Sequence, residues 1–144
     1  MDTAKLTTRS RDAVSAALRN ALTSGNPSAE PSHLLHGMLL VPDNTVGALL
    51  QSVGADPAAV DAAALASIKK LPSSTGSSVA QPQLSGAFAR VLAEAETRAE
   101  SMGDQFVATE HLLIALAAVD SDVKPALAKL GVTAEKLTTT FNAK

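Results

Sequence analysis

The chain has 144 residues, 46% of them hydrophobic but only 2% aromatic, with no Cys, Trp or Tyr and a formal net charge of −2. Without Cys there is no disulfide framework, no thiol nucleophile and no Cys-ligated zinc. The mildly acidic balance leaves no basic footprint for nucleic acid, and so few aromatics leave little for base stacking.

The apolar content comes from Ala, Leu and Val, which favours helices because Ala loses no side-chain entropy there. Val14, Ala17, Leu18, Ala21 and Leu22 recur at helical spacing after a Thr7 or Thr8 N-cap, and Gly25-Asn26-Pro27 ends that helix. Pro31 suits the first turn of a second helix carrying Leu34, Leu35, Met38 and Leu39, which stops near Pro42-Asp43. A third helix is expected from about Thr45 to Ser52, closing at Gly54. A fourth starts at Asp56-Pro57 and runs to about Lys70. Residues 71–83 are rich in Ser, Gly and Pro and read as a linker. Helix signals then resume. Leu84-Ser85 caps a helix with Phe88, Val91, Leu92, Ala95, Ala99 and Met102 on one face, ended by Gly103. Further helices are expected from about Thr109 to Val119, Asp122 to Leu130 (closed by Gly131) and Thr133 to Asn142.

The second half copies the first. Leu6 pairs with Leu84, Gly25 with Gly103 and His33 with His111, each 78 apart (84−6, 103−25, 111−33). Beyond Pro42, Val46 pairs with Val123, Leu50 with Leu127 and Gly54 with Gly131, each 77 apart (123−46, 127−50, 131−54). Caps, apolar positions and terminating glycines recur in one order, the mark of an internal duplication. The expected fold is all-α, with eight helices as two pseudo-twofold-related four-helix repeats: repeat one over 4–70, linker 71–83, repeat two over 84–142. Equivalent helices should pack across the axis, with small Ala side chains allowing close approach.

Motifs for chemistry are sparse. There is no Gly-x-x-x-x-Gly-Lys-Ser/Thr loop for ATP and no Gly-x-Ser-x-Gly nucleophile elbow. No run of about 18 apolar residues could span a membrane. Met1 to Lys5 lacks the basic and apolar regions of a signal peptide, so a cytoplasmic protein is expected. The three His are His33, His36 and His111, without a His-Glu-x-x-His pattern, so no metal site is expected. His33 and His111 stand in the first turns of equivalent helices, where an imidazole bonds nearby backbone groups. Glu94, Glu96, Arg98 and Glu100 read as the solvated face of an amphipathic helix. Asp104 lies just past a helix end, and Glu110 lies in a first turn, where the macrodipole favours a carboxylate; capping and a surface role both remain open there.

Three features together resemble the Clp N-terminal domain family. They are Leu6-Thr7 opening the first helix, the block Gly103-Asp104-Gln105-Phe106-Val107-Ala108-Thr109-Glu110-His111-Leu112-Leu113, and Pro31-Ser32-His33-Leu34-Leu35 as its echo. The long linker is most similar to that of the ClpB branch of AAA+ disaggregases. The resemblance covers about residues 4–142 and implies one N-terminal domain over 1–144. Such a domain stands on a tether before two ATPase rings of a hexamer, touches unfolded or aggregated client polypeptide and helps pass it to the pore. It also implies work beside the DnaK chaperone system, a monomeric isolated domain, and no cofactor of its own, ATP belonging to ATPase modules outside this chain. By the same resemblance, Thr7, Asp104 and Glu110 match polar residues linked to substrate engagement. Leu92 matches an apolar position of the family's peptide groove. Glu94, Arg98 and His111 stand where some relatives carry aliphatic residues. The alternatives are an adaptor-docking domain of a ClpC- or ClpA-type unfoldase, a stand-alone Clp N-domain protein, and an enzyme such as a metal-dependent hydrolase.

Overall fold

The computed structural model describes residues 5–40, 45–71 and 82–142. Among these residues the chain forms α1 (Thr8–Thr23), β1 (Ser28–Ala29), α2 (Pro31–Leu40), α3 (Thr45–Ser52), α4 (Pro57–Lys69), β2 (Gln83–Leu84), α5 (Gly86–Ser101), α6 (Thr109–Ala118), α7 (Lys124–Lys129) and α8 (Ala134–Asn142). The architecture is all-α, in the two-repeat order read from the sequence. The expected end of α2 near Pro42-Asp43 and most of the expected linker lie outside the described residues.

Local chemistry sets the helix ends. Thr7 caps α1 by accepting the Ser10 N–H, and its counterpart Ser85 caps α5 by accepting the Phe88 N–H. At the other ends Gly25 and Gly103 adopt φ of 73° and 77°, left-handed values that a Cβ disfavours. The next N–H then turns back onto the helix, Asn26 to Ala21 O and Asp104 to Ala99 O, both at 2.9 Å. The helix α7 is shorter than expected. Pro125 has no N–H and is tolerated only in a first turn, so the helix starts at Lys124 rather than Asp122.

The centre of the molecule is α2 beside α6. Pro31 to Leu35, Gly37 and Met38 are buried on α2; on α6, Thr109 and every residue from His111 to Ala117 are buried. A helix buried on nearly all sides needs cover from several neighbours. Here α6 packs against α1, α2, α3, α5, α7 and α8, and α2 against α1, α3, α4, α5 and α6. The equivalent helices α2 and α6 therefore meet across the pseudo-axis. Within repeat one, α1 and α2 approach each other closely at Gly37. A Cβ on Gly37 would lie 2.9 Å from Ala13 O and 3.3 Å from Ala16 Cβ.

Two short parallel pairings tie the halves together. Ala29 pairs with Leu84 in β1–β2, and Leu6 pairs with Val107 in an isolated bridge. These are one feature repeated by the duplication, since Leu6 corresponds to Leu84 and Ala29 to Val107. The hydrogen bonds match too: Thr7 N–H donates to Val107 O at 3.1 Å and Ser85 N–H to Ala29 O at 3.0 Å. The end of the expected linker is thus fixed as a strand.

Candidate functional site

The polar features at the start of α6 follow from how that helix begins. Ala108 stands at the N-cap and has no side-chain oxygen to satisfy the orphan N–H groups. His111, at the third helical position, reaches back so that its Nδ1 accepts the Ala108 N–H at 2.9 Å. Its Nε2 then faces Asp104 Oδ2 at 2.9 Å, and its ring packs edge-to-face with that of Phe141 of α8, 5.6 Å between centroids. Repeat one does the same. Nδ1 of His33 accepts the Glu30 N–H at 2.8 Å, and its Nε2 faces Asn26 Oδ1 at 2.9 Å. Both imidazoles are capping groups, and the carboxylate of Asp104 anchors one of them as the amide of Asn26 anchors the other. Burial holds the His33 imidazole below its ordinary pKa of 6.5, assisted by nearby His36 and opposed by Asp122.

The N-termini of α1 and α6 converge on an open cleft of about 330 Å³. Thr7, Thr8, Arg9, Thr45, Ala108, Thr109 and Glu110 line it. Thr7 is held there by its capping role and by a bond from its Oγ1 to Ser10 Oγ at 3.0 Å. Ser10 is buried and in turn donates to Val107 O at 2.8 Å, so the α1 wall is fixed to the 103–107 loop. Glu110 accepts from Thr109 Oγ1 at 2.9 Å. The wall therefore carries hydroxyls from four threonines, one carboxylate and one guanidinium, a surface suited to hydrogen bonding with main-chain or polar groups.

Of the residues singled out from the sequence, Thr7 and Glu110 share this cleft. Asp104 stands away from it, half-exposed, beside His111. Leu92 lies on the buried face of α5 with 8% of its surface exposed, so it belongs mainly to the core. Glu94 and Arg98 form an i,i+4 ion pair at 2.7 Å, and Arg98 also reaches Thr138 of α8 at 3.5 Å. His111, one of the three polar replacements, is buried and contributes no polar surface to a groove. Sequence reasoning missed Thr45, which enters the cleft from α3, and Phe106, which is 53% exposed two residues before Ala108. Phe106 did carry a signal, as an aromatic just after a Gly-Asp-Gln turn in an aromatic-poor chain. A larger hollow of about 560 Å³ between Val53 and α8 gathers none of the expected residues. Among the described residues no group of three His, Asp or Glu side chains is arranged to hold a metal ion, and no helix is long and apolar enough to cross a membrane.

The profile of the Clp repeat (R) N-terminal domain matches residues 5–130. The chain belongs to the Clp N-terminal domain family. Its relatives include the chaperone protein ClpB of Propionibacterium freudenreichii subsp. shermanii, 70% identical over 99% of this chain. The chain spans only 16% of that relative's length. Among solved structures, the Hsp104 N-terminal domain from Candida albicans shares the fold, with a TM-score of 0.79 at 19% identity, covering 94% of this chain and 88% of that one. A ClpV N-domain solved in complex with a VipB peptide has a TM-score of 0.74 at 17% identity, covering 96% and 85%. This Clp N-domain is thus of the kind found in ClpB-type chaperones.

Proposed function

We propose that this Clp N-domain engages unfolded or aggregated polypeptide for a ClpB-type, ATP-dependent disaggregase in the cytoplasm and helps deliver it to the AAA+ pore. In that reading the ATPase modules lie elsewhere in the protein, which works as a hexamer beside the DnaK chaperone system. The observation that carries the reading is the open, hydroxyl-lined cleft containing Thr7 and Glu110, with the exposed ring of Phe106 close by in the chain. Hydroxyls and a carboxylate can bond the main chain of any extended segment, and one aromatic adds apolar contact without demanding a sequence. Such contacts are weak singly, and several copies around one pore raise the effective affinity. The peptide complex of the related ClpV N-domain supports polypeptide as the ligand class.

The test is chemical-shift perturbation of the ¹⁵N-labelled domain by a permanently unfolded protein. Shifts are expected at Thr7, Thr109 and Glu110, extending toward Asp104 and Leu92. Glu110→Gln and Phe106→Ser should each weaken binding by roughly three- to thirtyfold, the loss of one hydrogen bond or one apolar contact. Shifts confined to α4 and α7, remote from all these residues, would refute the assignment.

A further inference from the structure

The duplication that builds the open cleft must also build its counterpart. Thr7, Thr8 and Glu110 map onto Ser85, Gly86 and Ser32 at the 78-residue offset, and Thr45 maps onto Asp122 at 77 (85−7, 86−8, 110−32, 122−45). The two places match in exposure at Thr7 and Ser85, Thr8 and Gly86, and Thr45 and Asp122, and differ at the fourth pair. Where the open cleft has Glu110, partly exposed, the counterpart has Ser32 with 0% of its surface exposed. Ser32 Oγ donates to Asp122 Oδ2 at 2.6 Å, a short charge-assisted bond. The main-chain carbonyl of Asp122 accepts from Ser67 Oγ of α4 at 3.3 Å. The loop before α7 is thus fastened to both α2 and α4, across the place where the first cleft stays open. The lining charge differs as well: Ala87 stands for Arg9, and the single carboxylate of Glu110 is exchanged for those of Glu30 and Asp122, so the counterpart has lost a cation and gained one carboxylate net.

We infer that this domain has one working cleft, at the N-termini of α1 and α6, and one latched copy of it, closed by Ser32 and Asp122. The nature of the ligand rests on the polypeptide-engaging role proposed above; the latch does not. A ligand entering the second place must first break a charge-assisted bond that the folded domain already satisfies. One domain therefore takes up one polypeptide segment, and multivalent grip comes from separate copies of the chain.

Two measurements on the intact chain separate these points. The chain has no Cys, so a single introduced thiol reports on its own surroundings. Ser32→Cys keeps the size of the side chain and a donor toward Asp122. Its alkylation by iodoacetamide should be at least roughly tenfold slower than that of Glu110→Cys, because local opening must precede reaction. Adding Asp122→Ala should raise the Ser32→Cys rate by about the same factor, while Asp122→Asn, which can still accept the bond, should not. Equal rates for the two single thiols, or no response to Asp122→Ala, would overturn the latch. In the second measurement, unfolded protein added to the ¹⁵N-labelled wild type should shift Thr8, Thr45 and Glu110 but not Ser32 or Gly86. Asp122→Ala should bring in the second set. Shifts at both clefts in the wild type would also overturn the inference. No shifts at either, with the alkylation pattern as expected, would leave the latch standing and refute the polypeptide-engaging role alone.

Discussion

At the scale of single residues, the paired imidazoles explain more of the polar chemistry than any binding role does. His33 is fully buried and its Nδ1 is occupied by the Glu30 N–H, so a proton arriving there must displace the cap of α2. An imidazole in the unfolded chain takes up a proton near pH 6.5, whereas folded His33 does so only at lower pH. The unfolded state therefore binds more protons over that interval. The stabilising contribution is complete above about pH 6.5 and is lost as the pH falls from there toward the folded value, with a limiting slope of about 1.4 kcal/mol per pH unit for one proton. Urea unfolding at pH 7.5 and pH 5.5 checks this: wild type should lose stability on acidification, and His33→Gln should lose less. A pH-independent wild type would remove His33 from that role. The duplication supplies a second residue-scale test, because Asn26 performs for His33 what Asp104 performs for His111. Asp104→Asn should hold the cap with a change of under about 0.5 kcal/mol, while Asp104→Ala should cost about 1 kcal/mol through the lost bond. Thermal melts of the two variants distinguish the cases. A large loss in Asp104→Asn would mean that the charge itself matters.

At the scale of elements, the two repeats share a pattern but differ in how tightly their first helices pack. The buried face of α1 is Ser10, Ala13, Ala17 and Ala21; the corresponding face of α5 is Phe88, Val91, Ala95 and Ala99, with Leu92 beside them. Small side chains let α2 approach α1 closely enough that Gly37 cannot carry a Cβ without moving backbone, whereas its counterpart on α6 is Ala115. Gly37→Ala should therefore destabilise by about 1–3 kcal/mol despite the better helix propensity of Ala. Chemical denaturation decides this, and a more stable variant would disprove the close packing. Ser85→Ala should cost about 1 kcal/mol by removing the acceptor for the Phe88 N–H. Helix order, caps and terminating glycines were legible in the sequence because each is written in a few adjacent residues, such as Asp56-Pro57 or Leu84-Ser85. The Leu6–Val107 and Ala29–Leu84 pairings were not, because a one- or two-residue strand has no periodicity to read and its partner lies far along the chain. The candidate site was half legible for the same reason. Thr7 and Glu110 sit in recognisable helix starts, but Thr45 joins them only through the packing of α3 beside α6, and the burial of Leu92 depends on how α5 is rotated against α6.

At the scale of the whole molecule, the duplication yields one cooperative body rather than two. Four features point the same way: α6 contacts helices of both repeats, α2 contacts α5 and α6, and two symmetric strand pairings join the first half to the second. Leu112, Leu113, Ile114 and Leu116 on α6 are all fully buried. Each would lose about 1.5–3 kcal/mol of burial if uncovered, and a domain's total stability is only about 5–15 kcal/mol. Either repeat alone leaves much of α2 or α6 in water. Neither half should therefore fold by itself, although each contains four helices. The expectation is that a peptide covering residues 84–142 shows weak, non-cooperative helicity by circular dichroism, and that one covering 4–70 does likewise. Mixed at equal concentration, the two should regain helicity, because the interface between the halves is the core. The intact domain should melt in a single transition, with the amides of Thr7, Ser85 and Val107 exchanging only on global opening, since each bonds across the two halves. A cooperative melt of either half in isolation would show that the pairings and the α2–α6 contact are docking surfaces between independent units. A single transition would tie the open cleft to the core: its two walls come from opposite repeats, so the cleft exists only while both halves are folded together.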